Sequence, residues 1–121
     1  MKKLTFLLIL AFAVTGCIKD TYLEFPQVTF SADAAEQTIT ENTGKTFYLK
    51  EIIVGGTRTE FTSPATTADW LTVEALYDGD SNRVKALKLT VEKNETGEAR
   101  KADIVVSNGP QTGIPVTQLG K

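Results

Sequence analysis

The sequence predicts an all-β protein, a sandwich or a barrel, on three observations. Short runs rich in Val, Ile, Thr, Phe and Tyr recur every 8–12 residues or so, separated by Gly, Asn, Asp or Ser. No long segment carries the 3.6-residue apolar period of an amphipathic helix. The chain has 121 residues, 41% hydrophobic and 23% charged, a size and balance that suit one folded domain.

Residues 1–17 read MKKLTFLLILAFAVTGC. Lys2 and Lys3 precede an apolar run, Leu4 to Val14, broken only by Thr5. The run is shorter than the roughly 20 apolar residues of a spanning helix and fits the apolar core of a secretory signal. Val14-Thr15-Gly16-Cys17 resembles the lipobox of bacterial lipoproteins. That resemblance implies cleavage of a signal peptide, residues 1–16, and lipidation of Cys17 as the first mature residue. Cys17 is the only cysteine, so no intramolecular disulfide can form. Each buried acyl methylene contributes about 0.8 kcal/mol, so several chains together hold a protein at a membrane. Residues 17–26 follow as a lipidated tether. Its nine residues after Cys17 reach about 30 Å at most. Tyr22, Leu23 and Phe25 give the tether two options, the domain surface or the lipid interface.

The domain is expected over residues 27–121, with about seven to eight strands. Val28 and Phe30 alternate with polar neighbours as a half-buried strand. Ala32–Glu36 reads as a loop, Gln37–Thr40 as a weak strand, and Asn42-Thr43-Gly44-Lys45 as a turn. In Thr46–Val54 both faces are partly apolar, and a bulge or a change of sheet near Lys50-Glu51 would reconcile them. Gly55-Gly56 closes that strand, and Thr57–Thr62 is a short candidate. Ser63–Asp69 reads as a loop, with the option of one helical turn opened by Ser63 and Pro64. Beyond it, Leu71, Val73 and Ala75 share a face, as do Leu87, Leu89 and Val91. Val84 breaks the latter parity and predicts a bulge near Lys85-Ala86. Ala102, Ile104 and Val106 alternate with Lys101, Asp103 and Val105. In the last strand Ile114, Val116 and Gln118 share a face, which turns a polar amide inward. Left without partners, such an amide costs about 1–3 kcal/mol.

Composition narrows function. The chain contains no histidine, which removes the imidazole on which many zinc sites, catalytic triads and general bases rely. Fifteen acids are available for carboxylate chemistry, but none stands in a recognisable motif. No enzyme activity, catalytic residue, cofactor or metal is expected. Net charge is −2, and loss of Lys2 and Lys3 with the leader shifts it to −4. Nucleic acid calls for a basic stripe, so it is not an expected partner.

Trp70, Asp69, Tyr77 and Tyr48 are the candidate ligand-binding residues, because sugar rings stack on aromatic faces while carboxylates and amides hold their hydroxyls. The alternative for Trp70, the only tryptophan, is a place in the core or at its rim. Asp78-x-Asp80-x-Asn82 begins like a calcium loop, but Arg83 and Leu89 stand where that loop needs Gly and Glu, so it reads as a hairpin turn. Asn94-Glu95-Thr96 fits a glycosylation sequon and reads as a turn that Asn94 caps. Arg100 is expected to bond neighbouring carbonyls or to pair with Glu95.

Trp70-Leu71, Val91, Asn94, Arg100, Ile104, Val106, Val116, Gln118 and Gly120 stand in an order that resembles the BACON domain (Bacteroidetes-associated carbohydrate-binding, often N-terminal). The chain departs from the typical pattern at Phe47-Tyr48, where a second tryptophan is usual. The resemblance implies an immunoglobulin-like β-sandwich of the kind carried by surface proteins of gut Bacteroidetes beside glycan-degrading enzymes. It implies structural parts for Asn94, Arg100 and Gln118. It also implies an outer-membrane or cell-surface protein that binds a polysaccharide or mucin-type glycan, or serves a glycan-uptake system. A spacer or a module that contacts other envelope proteins is the alternative.

Overall fold

The computed structural model describes residues 22–121; the leader and Cys17 lie outside the described residues. Nine strands form two sheets, with no helix among the described residues. The strands are β1 (Val28–Phe30), β2 (Ala35–Ile39), β3 (Tyr48–Val54), β4 (Thr57–Glu60), β5 (Ala65–Ala68), β6 (Leu71–Tyr77), β7 (Val84–Val91), β8 (Arg100–Ser107) and β9 (Gln111–Gln118). One sheet has the order β1-β9-β8-β3-β4 and the other β2-β7-β6-β5. All pairings are antiparallel except β1 with β9.

Alternation builds the core as the pattern requires. Leu71, Val73 and Ala75 meet Leu87, Leu89 and Val91 on one inner face. Ala102, Ile104, Val106, Ile114 and Val116 line the other. Of the two options near Lys50-Glu51 the structure takes the bulge, and the expected bulge near Lys85-Ala86 is also present. The β3–β8 register slips at Lys50, which turns Phe47, Leu49, Ile52 and Val54 inward on either side of the slip. The β6–β7 register slips at Lys85, so Val84 and Ala86 are both buried.

Two expectations are corrected. Residues 65–68 form an edge strand, not a loop or a helical turn: the β-branched Thr66 and Thr67 pair with Val73 and Thr72 of β6. The polar run from Ala35 is likewise a strand, an edge paired along its length with β7. Its exposed face carries no apolar signal because it borders solvent. The strand count is therefore nine.

Strand directions divide the turns between two ends. At the first, the loop end, lie the chain's approach to β1 and the connections β2–β3, β4–β5, β6–β7 and β8–β9. The second end holds residues 31–34, Gly55-Gly56, Asp69-Trp70, residues 92–99 and residues 119–121.

Of the two options for the tether's apolar residues, Leu23 and Phe25 take the domain. Leu23 is buried, and the Phe25 ring stands edge-on to Phe47 with centroids 5.1 Å apart. Glu41 clamps this approach. Its carboxylate, only 2% exposed, accepts the Glu24 N–H at 2.8 Å through Oε2. Oε1 accepts the Thr43 and Lys45 N–H groups, each at 2.8 Å, and the Thr43 hydroxyl at 2.6 Å. The Asn42 N–H donates back to the Glu24 carbonyl at 2.6 Å. Burial pushes the Glu41 carboxyl upward. The hydrogen bonds from the Thr43 hydroxyl and from three backbone N–H groups outweigh it and hold the group near 2, below the ordinary 4.5.

A carboxyl depressed on folding contributes stability that is complete above its unfolded value and is lost as pH falls through its folded value. Glu41 should therefore weaken the fold between pH 4.5 and about 2, by up to about 3 kcal/mol in all. Urea denaturation across this range should show that loss in the native chain and a much flatter profile in Glu41→Gln; equal slopes would refute the clamp.

Candidate functional site

At the end opposite the loop end, one buried polar cluster joins four stretches of chain. The alternation of β9 turns the Gln118 amide inward, where it is fully buried. Its Nε2 donates to the Glu92 carbonyl at 2.8 Å, with the Ala32 and Asp33 carbonyls at 3.4 and 3.5 Å. Its Oε1 accepts Arg100 Nε at 2.9 Å. Arg100 Nη2 reaches the Glu92 and Lys93 carbonyls at 3.2 and 3.4 Å. Of the two options for Arg100, the carbonyls are its partners; Glu95 pairs with Lys93 instead.

Asn94, also fully buried, completes the cluster. Its Nδ2 donates to the carbonyls of Glu98 (2.8 Å) and Leu119 (3.0 Å). Its Oδ1 accepts the Thr96 N–H (3.0 Å) and hydroxyl (2.7 Å), and its own N–H donates to the Ala32 carbonyl at 2.7 Å. All four bonding positions of the amide are filled, so the turn reading of Asn94-Glu95-Thr96 holds. Attaching a glycan at Nδ2 would break the cluster. Gly120 closes the end: a Cβ there would lie 2.5–2.7 Å from the backbone of Glu98.

Trp70 belongs to this cluster. Asp69 and Trp70 are the two turn residues between Ala68 and Leu71. Asp69 takes a positive φ of 56°, which Asp tolerates better than most residues. The turn directs the Trp70 ring inward, 3% exposed, with the Arg100 guanidinium 4.8 Å from the ring centroid. Such a partly exposed cation–π contact is worth about 0.5–2 kcal/mol. The ring face that would have stacked on a sugar is occupied, and Asp69 acts as the exposed tip of the turn.

The other two aromatic candidates lie at the loop end. Tyr48 is 38% exposed. Arg83 lies over its ring at 5.1 Å and donates to its hydroxyl at 3.2 Å, to Thr46 Oγ1 at 2.6 Å and to Asn108 Oδ1 at 3.3 Å. Tyr77 is half-buried, and its hydroxyl donates to Ser63 Oγ at 2.7 Å. Trp70 and Asp69 are thus separated from Tyr48 and Tyr77 by the length of the sandwich. Asp78–Arg83 is a hairpin turn, closed by the Asp78 N–H on the Arg83 carbonyl at 2.8 Å. No cavity opens among the described residues. Sequence reasoning gave Arg83 and Glu41 no part. An arginine after a turn, and a glutamate before Asn-Thr-Gly, carry no local sign that distant backbone will meet them.

Two substitutions test the cluster by thermal and urea unfolding. Asn94→Ala should cost about 2–4 kcal/mol, since it removes a fully buried amide and leaves the Glu98 and Leu119 carbonyls and the Thr96 N–H without their partner. Gly120→Ala should cost at least about 1–3 kcal/mol, because the added carbon meets backbone rather than a side chain that can swing away. Near-native stability in both would contradict the structural role.

The family model BACON, described as "Putative binding domain, N-terminal", matches residues 59–119. That span holds Trp70, Asn94, Arg100 and Gln118 and ends one residue before Gly120. No curated protein matches the chain. Among solved structures, the NMR structure of a protein from Bacteroides thetaiotaomicron aligns with a TM-score of 0.59 and 18% identity, over 81% of this chain and 84% of that one, a likeness of fold. A Bacteroides ovatus GH5 xyloglucanase in complex with a XXXG heptasaccharide aligns at a TM-score of 0.46 and 20% identity, over 83% of this chain and 19% of that one. With half of its length matched by the family model, the chain belongs to the BACON family.

Proposed function

We propose that the protein is a non-enzymatic lipoprotein of the cell envelope, held through Cys17, whose immunoglobulin-like domain works as a spacer or protein-contact module within a glycan-handling assembly. One observation carries the choice: the only tryptophan lies beneath Arg100 in the core, so the strongest sugar-stacking group in the chain is committed to the fold. The family's binding role and the exposed edges of both sheets support a protein partner, since an unpaired edge can accept a strand. The leader architecture and the place of the chain's single cysteine, Cys17, at its end support the anchor.

A second reading, direct glycan binding, is favoured by one feature. Tyr48 lies beneath the Arg83 guanidinium as Trp70 lies beneath Arg100, but at 38% exposed against 3% it keeps ring surface open to a sugar, with the Arg83 and Asn108 side chains near for its hydroxyls.

A broad glycan array probed with residues 22–121 separates the two. The spacer reading expects no saturable binding. Binding that Tyr48→Ala abolishes would favour the second reading and overturn the first. For the anchor, Cys17→Ala should move the protein out of the membrane fraction, and retention there would refute lipid attachment at this residue.

A further inference from the structure

The clamp on the chain's approach has a consequence for the domain's orientation. Glu24 is fixed at the loop end by two backbone contacts, to the Glu41 carboxylate and to the Asn42 N–H, and Leu23 and Phe25 are packed beside it. Only Ile18 to Thr21 separate Cys17 from Tyr22, the first described residue. The five chain steps from Cys17 to Tyr22 span at most about 18 Å.

We propose that the loop end, formed by residues 43–46, 78–83 and 108–110, faces the lipid headgroups, and that the cluster end points away from the membrane. The proposal rests on the reading of Cys17 as the anchor. The occupant of this face is a lipid surface because the short link brings that surface to this end. Strands of eight residues place the cluster end about 25 Å further out. Two features of the face fit. Tyr22, half exposed where the link arrives, is of a type that settles in the headgroup layer. The loops set Lys45 and Arg83 against Asp78 and Asp80, a balance that gives anionic lipid no strong charge to repel. The surfaces left for a partner are then the sheet faces and edges and the cluster end, where Leu119 is half exposed. Tyr48 would face the bilayer, with no room for a polymer glycan.

The test uses the full lipidated chain in vesicles of phosphatidylethanolamine and phosphatidylglycerol that carry a short-range quencher on the headgroup. With Cys17 acylated, a fluorophore can be placed at Asn82→Cys on the loop end or at Glu95→Cys on the cluster end, both exposed. The proposal expects strong quenching at position 82 and little or none at position 95. Inserting about 20 Gly/Ser residues between Cys17 and Tyr22, with a reach near 25 Å, should erase most of that difference without touching the fold. Equal quenching at both positions in vesicle-bound protein overturns the orientation and leaves the anchor standing. A difference that survives the long insertion also overturns the clamped link as its cause. Protein that fails to float with the vesicles overturns both the anchor and the orientation.

Discussion

A buried primary amide must find partners for two donors and an oxygen, and at Gln118 it finds them in three other stretches of chain. The last strand cannot reach its register unless residues 32–33, 92 and 100 are in place. Asn94 imposes the same condition from the facing sheet, joining residues 32, 96, 98 and 119. Arg100 links the Gln118 amide to Trp70, because its guanidinium bonds that amide, serves the carbonyls after β7 and covers the indole. In a low-dielectric setting such a network strengthens when complete and costs heavily when broken. The fold depends on it because it is where both sheets, the end of β1 and the chain's last turn converge.

The two ends of the sandwich are closed by different chemistry. The cluster end uses two amides and a guanidinium. The loop end uses a carboxylate, Glu41, so the fastening of the approach to β1 is the part that responds to acid. Both serve one architectural need. A sandwich has few connections across its ends, and apolar packing between sheets does not by itself fix the course of loops and termini. The residues most recognisable in the sequence, Trp70, Asn94, Arg100 and Gln118, are spent on holding the fold.

Much of the fold was legible because strand alternation is local. The parity break at Val84 located one bulge, that at Lys50-Glu51 left a bulge or a change of sheet open, and the inward turn of Gln118 followed from Ile114 and Val116. The edge strand Ala65–Ala68 was not legible. Ala-Thr-Thr-Ala after Ser-Pro has the look of a helix start, and its strand state comes from pairing with β6. The parallel pairing of β1 with β9 was hidden for the same reason, since partners so far apart in sequence leave no periodic trace. At the candidate site, Asn94 and Arg100 were readable as structural from turn chemistry. The fate of Trp70 was open in the sequence, because a tryptophan next to a turn has the same local pattern whether the turn directs it into the core or into solvent. Glu41 was missed because a glutamate beside Asn-Thr-Gly has the local chemistry of an exposed turn, and the N–H of Glu24 reaches it only through the fold.

The central claim is that Arg100 and Gln118 act as one unit rather than as two independent contacts. A double-mutant cycle in urea unfolding tests it directly, with Arg100→Met, Gln118→Leu and the pair. A coupling of about 1–3 kcal/mol is expected, since removing either residue already strands the other's buried groups. Effects that add to within about 0.5 kcal/mol would contradict the account.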